Sequence, residues 1–444
     1  MKLPEYVGHC VRRLENAGFA AYAVGGCVRD ALLGIEPHDY DLCTAASPEQ
    51  TQAVFEHEKL VLAGLKHGTV GIITPEGVVE TTTFRTEGGY ADARHPDWVK
   101  FVPTVEEDLA RQDFTVNAMA WSPARGLADP FGGQTDLKNR ILRAVGDPER
   151  RFREDALRIL RGVRFAVRFG LTVEPETEKA MFRLAPLMEK LARERVFDEL
   201  CKLLPLVTAE DLIRFAPVLT AVIPELAPMV GFDQHSPHHA YDIYTHTAHV
   251  VENTPPDLVL RWAALLHDTG KVPTFTRDET GRVHFYGHAK ESAAIADTVL
   301  RRLKAPTELR EQVTELIGLH MTRLEPDKKV IRRWLGRLGS ETMDSLLTFQ
   351  KADMVSKGVS KDSEMAQHLH LRDLVAQVQA EDACLGLRDL AVNGNDLKSL
   401  GYEGKAIGAC LARLLDAVLD ERLPNEREAL LEDAKVTLPC HSER

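Results

Sequence analysis

No stretch of this 444-residue chain approaches the roughly 20 uncharged apolar residues that a membrane-spanning helix needs, so no membrane partner is expected. The N-terminus, MKLPEYVGHC, lacks both a signal-peptide apolar region and an Arg-rich transit pattern, which points to the cytoplasm. The seven cysteines, at 10, 27, 43, 201, 384, 410 and 440, include no C-x-x-C pair, so neither a disulfide framework nor a thiolate zinc site is indicated. Repeats and low-complexity segments are absent. Positive charge is also short, with 55 Lys and Arg against 67 Asp and Glu and a net charge of -12. That balance argues against coating nucleic acid through bulk charge, although a local basic stripe can still hold a folded RNA.

The length is what one expects of two to four domains. The first third alternates. An amphipathic helix (Leu3, Tyr6, Val7, Cys10, Val11, Leu14) leads to a strand ending at Val24, a glycine turn and a short helix. Strands follow near Asp39 to Leu42, Thr69 to Thr74 and Val78 to Phe84. From about Glu149 strand signals nearly vanish and helical spacing takes over, as in Ala156, Ile159, Leu160, Val163 and Val167. Breaks fall at Gly146-Asp147-Pro148, around Pro224 to Pro237, and after Lys357-Gly358. The expectation is an α/β head, a mixed sheet with helices, followed by all-α domains.

Three constellations carry chemistry. In the first, Gly25 and Gly26 stand between a strand and a helix, where bare backbone N–H groups can approach a triphosphate. Arg29 in that helix can hold a phosphate bidentately. A steric role for the glycines accounts for the same pattern. Asp39 and Asp41 flank Tyr40 in a strand-like segment, whose alternation sends both carboxylates to one face. Such hard oxygen ligands suit Mg²⁺. Two ions about 3.5 to 4 Å apart would activate a hydroxyl and stabilise a pyrophosphate leaving group. Glu80 is either a third carboxylate or a solvent-facing strand residue.

GGCVRDALLG, then DYDL, VETTTFR and RQDFTVNAMA, closely resembles the class II family of tRNA CCA-adding enzymes and bacterial poly(A) polymerases. The resemblance implies that Asp39 and Asp41 are the catalytic, metal-binding carboxylates, and that Arg111, Asp113 and Asn117 contact the ribose and select ribonucleotides. Gln112 stands where the family usually has arginine, which removes one positive charge near the triphosphate.

The second constellation is Asp155 and Arg158, three residues apart at the start of a helix. One reading is a favourable helix N-terminus with a single salt bridge. The other is a protein edge that replaces a template: Arg158 donates to cytosine N3 or adenine N1 while Asp155 accepts from the exocyclic amine. Bidentate discrimination of this kind is worth roughly 1 to 3 kcal/mol per base. The E-D-x-x-R pattern resembles the family's base-reading motif and implies the second reading. Arg161, Arg164 and Arg168 continue the helix, and residues 138 to 168 hold ten Lys or Arg against four Asp or Glu, so this segment is the expected track for nucleotide and RNA phosphates. Arg193 to Leu200 resembles a neck motif that braces the base-reading helix, or is one solvated helical face. Residues 85–100 resemble the family's flexible loop, whose presence favours full CCA addition.

The third constellation is His246, His267, Asp268, His288, His320 and Asp353. Imidazole and carboxylate ligands gathered from several helices suit a divalent transition metal, Mn, Fe, Co, Ni or Zn, able to activate water against a phosphate ester. YTHTAHV, LLHDTGK, GHAKES, LGLHM and KADM resemble the HD phosphohydrolase superfamily. This implies that His246, His267, Asp268 and Asp353 hold one metal, His288 and His320 serve a second, and Lys271 contacts phosphate. The alternative is a decayed HD domain kept as a packing module. In the tail, Asn393 to Gly408 resembles the end of HD-bearing CCA enzymes, where a helix N-terminus meets an RNA phosphate or merely turns.

The resemblance implies a head over 1–145, a helical neck over 146–225, an HD domain over 226–360 and an RNA-binding helical tail over 361–444. It further implies partners tRNA, CTP and ATP, with Mg²⁺ at the head. The tRNA 3′-hydroxyl would attack the α-phosphate in line while a second ion and Arg29 stabilise departing pyrophosphate. The rival readings are a poly(A) polymerase, an HD phosphohydrolase whose head only binds RNA, and a non-enzymatic RNA-binding protein.

Overall fold

In the computed structural model the described residues are 1–88, 98–235, 240–381 and 386–437. They divide into two compact units, Met1–Ala227 with Arg302–Ala305, and Pro228–Arg301 with Pro306–Arg444.

The first unit opens with the helix Glu5–Asn16, which buries Val7, Cys10, Val11 and Leu14, a three-to-four-residue repeat that places them on one face. Strands β1 (Ala21–Val24), β2 (Asp41–Thr44), β3 (Leu60–Val61), β4 (Thr69–Thr74), β5 (Gly77–Thr83), β8 (Ala120–Ser122) and β9 (Gly126–Ala128) form a sheet in the order β3-β4-β5-β2-β1-β8-β9. Strands β2 and β5 run parallel and the other pairs antiparallel, so the sheet is mixed. Between them β6 (Arg85–Gly88) pairs with β7 (Trp98–Phe101), so the two ends of the loop-like segment 85–100 are zipped together, while its residues 89–97 lie outside the described ones.

The expected strand from Asp39 to Leu42 begins two residues late, at Asp41. Its partner explains this. Strand β1 pairs Val24 with Asp41 and then turns at Gly25, whose φ of 76° leads into the helix Gly26–Leu32, so no ladder remains for Asp39 and Tyr40.

After the sheet, Asp147 caps the helix Pro148–Glu154, and a second helix, Leu157–Phe169, follows. The neck is not wholly helical: β10 (Ile141–Leu142) and β11 (Thr172–Val173) pair in parallel and tie it to the head. The helix Arg193–Leu203 packs its Val196, Phe197, Glu199 and Leu200 inward.

The second unit is built from the helices Ile243–Asn253, Leu258–Leu266, His288–Arg302, Thr307–Leu319 and Lys328–Val355, the last bent at Gly339. A short hairpin, β12 (Thr276–Arg277) with β13 (Val283–His284), departs from the all-helical expectation. The tail helices Gly394–Ser399, Lys405–Leu419 and Arg427–Val436 share a core of Leu397, Tyr402, Leu414, Leu430 and Ala434. Asn393 satisfies the first of these helices itself, accepting from the N–H groups of Asn395 and Asp396. Among the described residues no helix is long and apolar enough to cross a membrane.

Candidate functional site

At the head, β2 lies beside β5 in the register Leu42↔Thr81. Leu42 and Thr81 are buried, so one residue earlier Asp41 and Glu80 share the opposite, exposed face. Asp39 is exposed and precedes the strand. Desolvation, then the charges of Glu80 and Asp39, push the Asp41 carboxyl above the usual carboxylate range. A carboxylate set between two like charges fits a hard divalent cation, which would relieve the repulsion on Asp41.

Gly25 and Gly26 turn the chain beside this face, and the Gly25 N–H donates to the Met119 carbonyl at 3.0 Å. From Arg29 a chain of hydrogen bonds crosses the unit. Arg29 donates to Asp30 Oδ1 at 2.8 Å and to Asn117 Oδ1 at 2.6 Å; Asn117 Nδ2 donates to Asp113 Oδ1 at 2.9 Å. Arg161 closes the chain with two contacts to Asp113 Oδ2, at 2.9 Å from Nε and 2.8 Å from Nη2. Burial opposes ionisation of Asp113, but Arg161, the Asn117 hydrogen bond and Arg158 outweigh it and hold the carboxyl below its ordinary value. Arg29, the expected phosphate clamp, is buried, with its guanidinium 4.3 Å from the Phe169 ring centre, and its partners here are protein groups. Arg111 donates from Nε to Asp108 Oδ1 at 3.0 Å.

The single helix expected to carry both Asp155 and Arg158 is interrupted. Asp155 is extended, at φ -143° and ψ 105°, and its carboxylate accepts from the Leu157 N–H at 3.0 Å, so the side chain competes with the helix for its own backbone. Its other partner is Arg195 Nη2, at 2.8 Å. Arg158 donates instead to Glu154 Oε2 at 2.9 Å and to the carbonyls of Arg151 and Arg111, at 3.2 and 3.0 Å. Arg164, expected on the RNA track, is buried against Glu199 with Nε 2.6 Å from Oε2. Glu199 and Arg195, both from the segment 193–200, thus hold the residues of the neighbouring helix.

In the second unit the structure gathers the ligand atoms of His246, His267 and Asp268, and of Asp268, His288 and His320, each group within 4.8 Å. Asp353 joins them, 3.0 Å from His246 Nε2 and 3.9 Å from His267 Nε2. Each imidazole is oriented by a carbonyl: Nδ1 of His246 lies 3.1 Å from Ser356 O, and Nδ1 of His267, His288 and His320 lie 2.8, 2.9 and 2.6 Å from the carbonyls of Ala264, Phe285 and Ile317. A carbonyl only accepts, so Nδ1 carries the proton, and in the neutral ring Nε2 offers its lone pair to the shared centre. Burial drives His288 down, and burial with the charge of His267 drives His320 down to about 4, favouring the neutral, ligating form. His267 is held above its usual value, because Asp268 and Asp353 outweigh its burial. His267 Nε2, Asp268 Oδ2 and His288 Nε2 are buried without hydrogen-bond partners, although Asp268 Oδ2 lies in ion-pair range of His267 and Lys271. Such a donor set, two carboxylates and four imidazole lone pairs, fits a divalent transition metal. A cavity of about 280 Å³ opens onto it, lined also by Lys271, His284, Tyr286 and Lys357.

Some participants escaped sequence reasoning. Lys357 lies 3.1 Å from Asp353, a contact that its i,i+4 spacing could have suggested. Gln234, which accepts from Lys271 Nζ at 2.8 Å, carries no local signal.

Residues 21–143 match the family model "Poly A polymerase head domain", 170–228 match "Probable RNA and SrmB- binding site of polymerase A", and 274–434 match tRNA nucleotidyltransferase domain 2. The CCA-adding enzyme of Streptococcus thermophilus is 33% identical over 95% of this chain and 94% of its own length. That of Lactiplantibacillus plantarum is 34% identical over 96% and 94%. The crystal structure of the Bacillus stearothermophilus CCA-adding enzyme in complex with CTP aligns with a TM-score of 0.71 at 28% identity, covering 98% of this chain and 97% of that one. With identities above 30% sustained from one end to the other, the chain belongs to the family of CCA-adding enzymes.

Proposed function

We propose that this protein adds C, C and A to the 3′ end of tRNA from CTP and ATP, without a nucleic-acid template, in the cytoplasm. The observation that carries the reading is Asp41, which feels the charges of Glu80 and Asp39 beside the Gly25 turn, and the chain of Arg29, Asn117, Asp113 and Arg161 that runs from that turn to the base-reading helix. Mg²⁺ bound by Asp39 and Asp41 would supply the charge that favours hydroxyl ionisation and pyrophosphate departure.

The chain's own residues do the rest by positioning. Gly25 and Gly26 let backbone approach the triphosphate, while Arg29 fixes Asn117 and Asp113 for the ribose. The 3′-hydroxyl oxygen bonds to the α-phosphorus as the bond to pyrophosphate breaks. Asp155 and Arg158 read the base edge once released from Arg195 and Glu154, and Arg111, Arg161 and Arg164 support that surface. Functionally the chain divides into a head over 1–145, a neck over 146–225, an HD domain over 226–360 and an RNA-binding tail over 361–444.

The test is incubation with Mg²⁺, tRNA lacking its CCA end and each NTP, singly and together, resolved at single-nucleotide length. A discrete three-nucleotide extension with CTP and ATP is expected. Long A tails would instead indicate a poly(A) polymerase, and no extension would leave the second centre as the principal activity.

A second reading concerns that centre. The convergence of its buried imidazole and carboxylate atoms supports a divalent transition metal held by His246, His267, Asp268 and Asp353, with His288 and His320 beside it. We propose phosphate-ester hydrolysis there, in which a water oxygen bonds to phosphorus, the ester P–O bond breaks, and the alcohol leaves with a proton. Lys271 would hold the phosphate. Metal analysis of the reconstituted protein, with phosphate release, tests it; a protein that takes up no metal would overturn it.

A further inference from the structure

The cavity over the second centre has an unusual wall. The hairpin Thr276 to His284 ends in His284, Tyr286 follows two residues on, and both line the cavity with His288 and Asp353. Tyr286 is 75% exposed, among the most exposed large side chains of the chain. It is nevertheless backed by a partner: the His284 ring lies parallel to it, with centroids 4.8 Å apart and planes 11° from parallel. His284 in turn is fixed by Asp278, whose Oδ2 is 2.8 Å from His284 Nε2. Asp278 is itself anchored, its Oδ1 accepting from the N–H groups of Thr280 and Arg282, at 2.9 and 3.0 Å, and from the Thr280 hydroxyl at 2.6 Å. The hairpin turn thus holds two stacked rings beside the cavity of about 280 Å³ that opens onto the second centre.

An exposed aromatic face costs the folded protein apolar surface left in water, and here four hydrogen bonds and a stacked ring secure the residues behind it. Lys271 and Lys357 line the same cavity, paired here with Asp268 and Asp353, and would meet the charged end of a ligand once a metal neutralises those carboxylates. We propose that Tyr286, backed by His284, is a stacking platform that makes this centre selective for phosphoesters carrying a planar ring, such as a nucleotide, over ringless ones. The inference rests on the hydrolase reading for its phosphate end and on the hairpin for its ring end. Base-on-aromatic stacking would give roughly a tenfold or greater preference.

The experiment uses the full chain, reconstituted with Mn²⁺, Co²⁺ or Ni²⁺, and a matched pair of ligands, adenosine 5′-monophosphate and ribose 5-phosphate, the second carrying a hydroxyl in place of the planar base. Photolabelling with 8-azidoadenosine 5′-monophosphate, followed by peptide mapping, reports occupancy at the hairpin separately from the head. Label on the hairpin peptide is expected, competed about tenfold better by adenosine monophosphate than by ribose phosphate. Tyr286→Ala should abolish that label and Tyr286→Phe keep it, with melting temperature and metal content unchanged. An unlabelled hairpin, or label and ring preference surviving Tyr286→Ala, would overturn the proposal. A labelled hairpin in a protein that binds no metal and releases no phosphate would sink the hydrolase reading while leaving the ring platform standing.

Discussion

Arg164 and Glu199 offer the sharpest test of how the neck is built. Their contact is short, 2.6 Å, and both side chains are buried, so the pair joins the helices Leu157–Phe169 and Arg193–Leu203, with the exposed Lys202 ammonium 4.0 Å from Glu199 as its only further charge among the ion pairs described. Glu199→Ala would leave the guanidinium uncompensated, with only the Phe165 ring, 4.5 Å away, to face it. Removing one partner of a buried pair costs about 3 to 5 kcal/mol. At about 2 to 4 °C per kcal/mol for a unit of this size, the melting temperature should fall by roughly 6 to 20 °C. Removing both charges together, Arg164→Met with Glu199→Leu, should recover most of the loss, because apolar groups of similar volume replace a desolvated pair at little cost. Calorimetry of the parent, Arg164→Met, Glu199→Leu and the double variant gives the coupling directly. The same set, titrated with tRNA at several salt concentrations, asks whether Arg164 also touches RNA: a phosphate contact would remove roughly 0.7 to 0.9 from the log–log salt slope of the double variant. A Glu199→Ala protein that melts with the parent would refute the argument.

Asp39→Ala or Asp41→Ala should lower nucleotide addition at least about a thousandfold, the equivalent of several kcal/mol of lost charge stabilisation, with the circular dichroism spectrum unchanged. Asp41 also has a pH signature. Burial, Glu80 and Asp39 raise its folded carboxyl above the unfolded value, so the folded chain holds that proton more tightly and the ionised form opposes folding. In metal-free buffer Asp41→Asn should therefore raise the melting temperature at neutral pH, by an amount that shrinks as the pH falls into the ordinary carboxylate range. Arg158→Gln should relax base selection by about 1 to 3 kcal/mol, seen as UTP misincorporation in single-turnover extension. His267→Ala should abolish transition-metal uptake, measured by mass spectrometry, without changing nucleotide addition.

Much of this was legible in the sequence because it is local. Periodicity located the first helix, and the Thr69–Thr74 strand falls where the alternation of Thr69 to Thr74 places it. Three of the four histidine locks are also local, each Nδ1 bonding the carbonyl three residues earlier. What stayed hidden depends on distant partners. Asp39 lost its place in a strand because β1 ends at Val24, information that sits 15 positions away. Arg158 found Glu154 rather than Asp155 because Asp155 spends its oxygen on the Leu157 N–H and ends one helix before the next begins. Charge counting along 138 to 168 suggested an exposed basic track, yet Arg164 is neutralised by a glutamate 35 residues on, which no one-dimensional tally contains.

Asp113 and Arg161 are separated by 48 positions, and the parallel pair Ile141↔Thr172, which ties the neck to the head, likewise waits for residues made well after the sheet. A ribosome extends a chain at about 5 to 20 residues per second, so Asp113 is made roughly 2 to 10 s before the cation that will neutralise it. During that interval the growing head holds a carboxylate that cannot be closed off from water without penalty, and the Asn117 hydrogen bond alone does not replace the missing charge. The head therefore cannot close over an ionised Asp113 at full stability until the helix that carries Arg161 has been made, and a chain halted near residue 145 should protect its head less well than the full chain does.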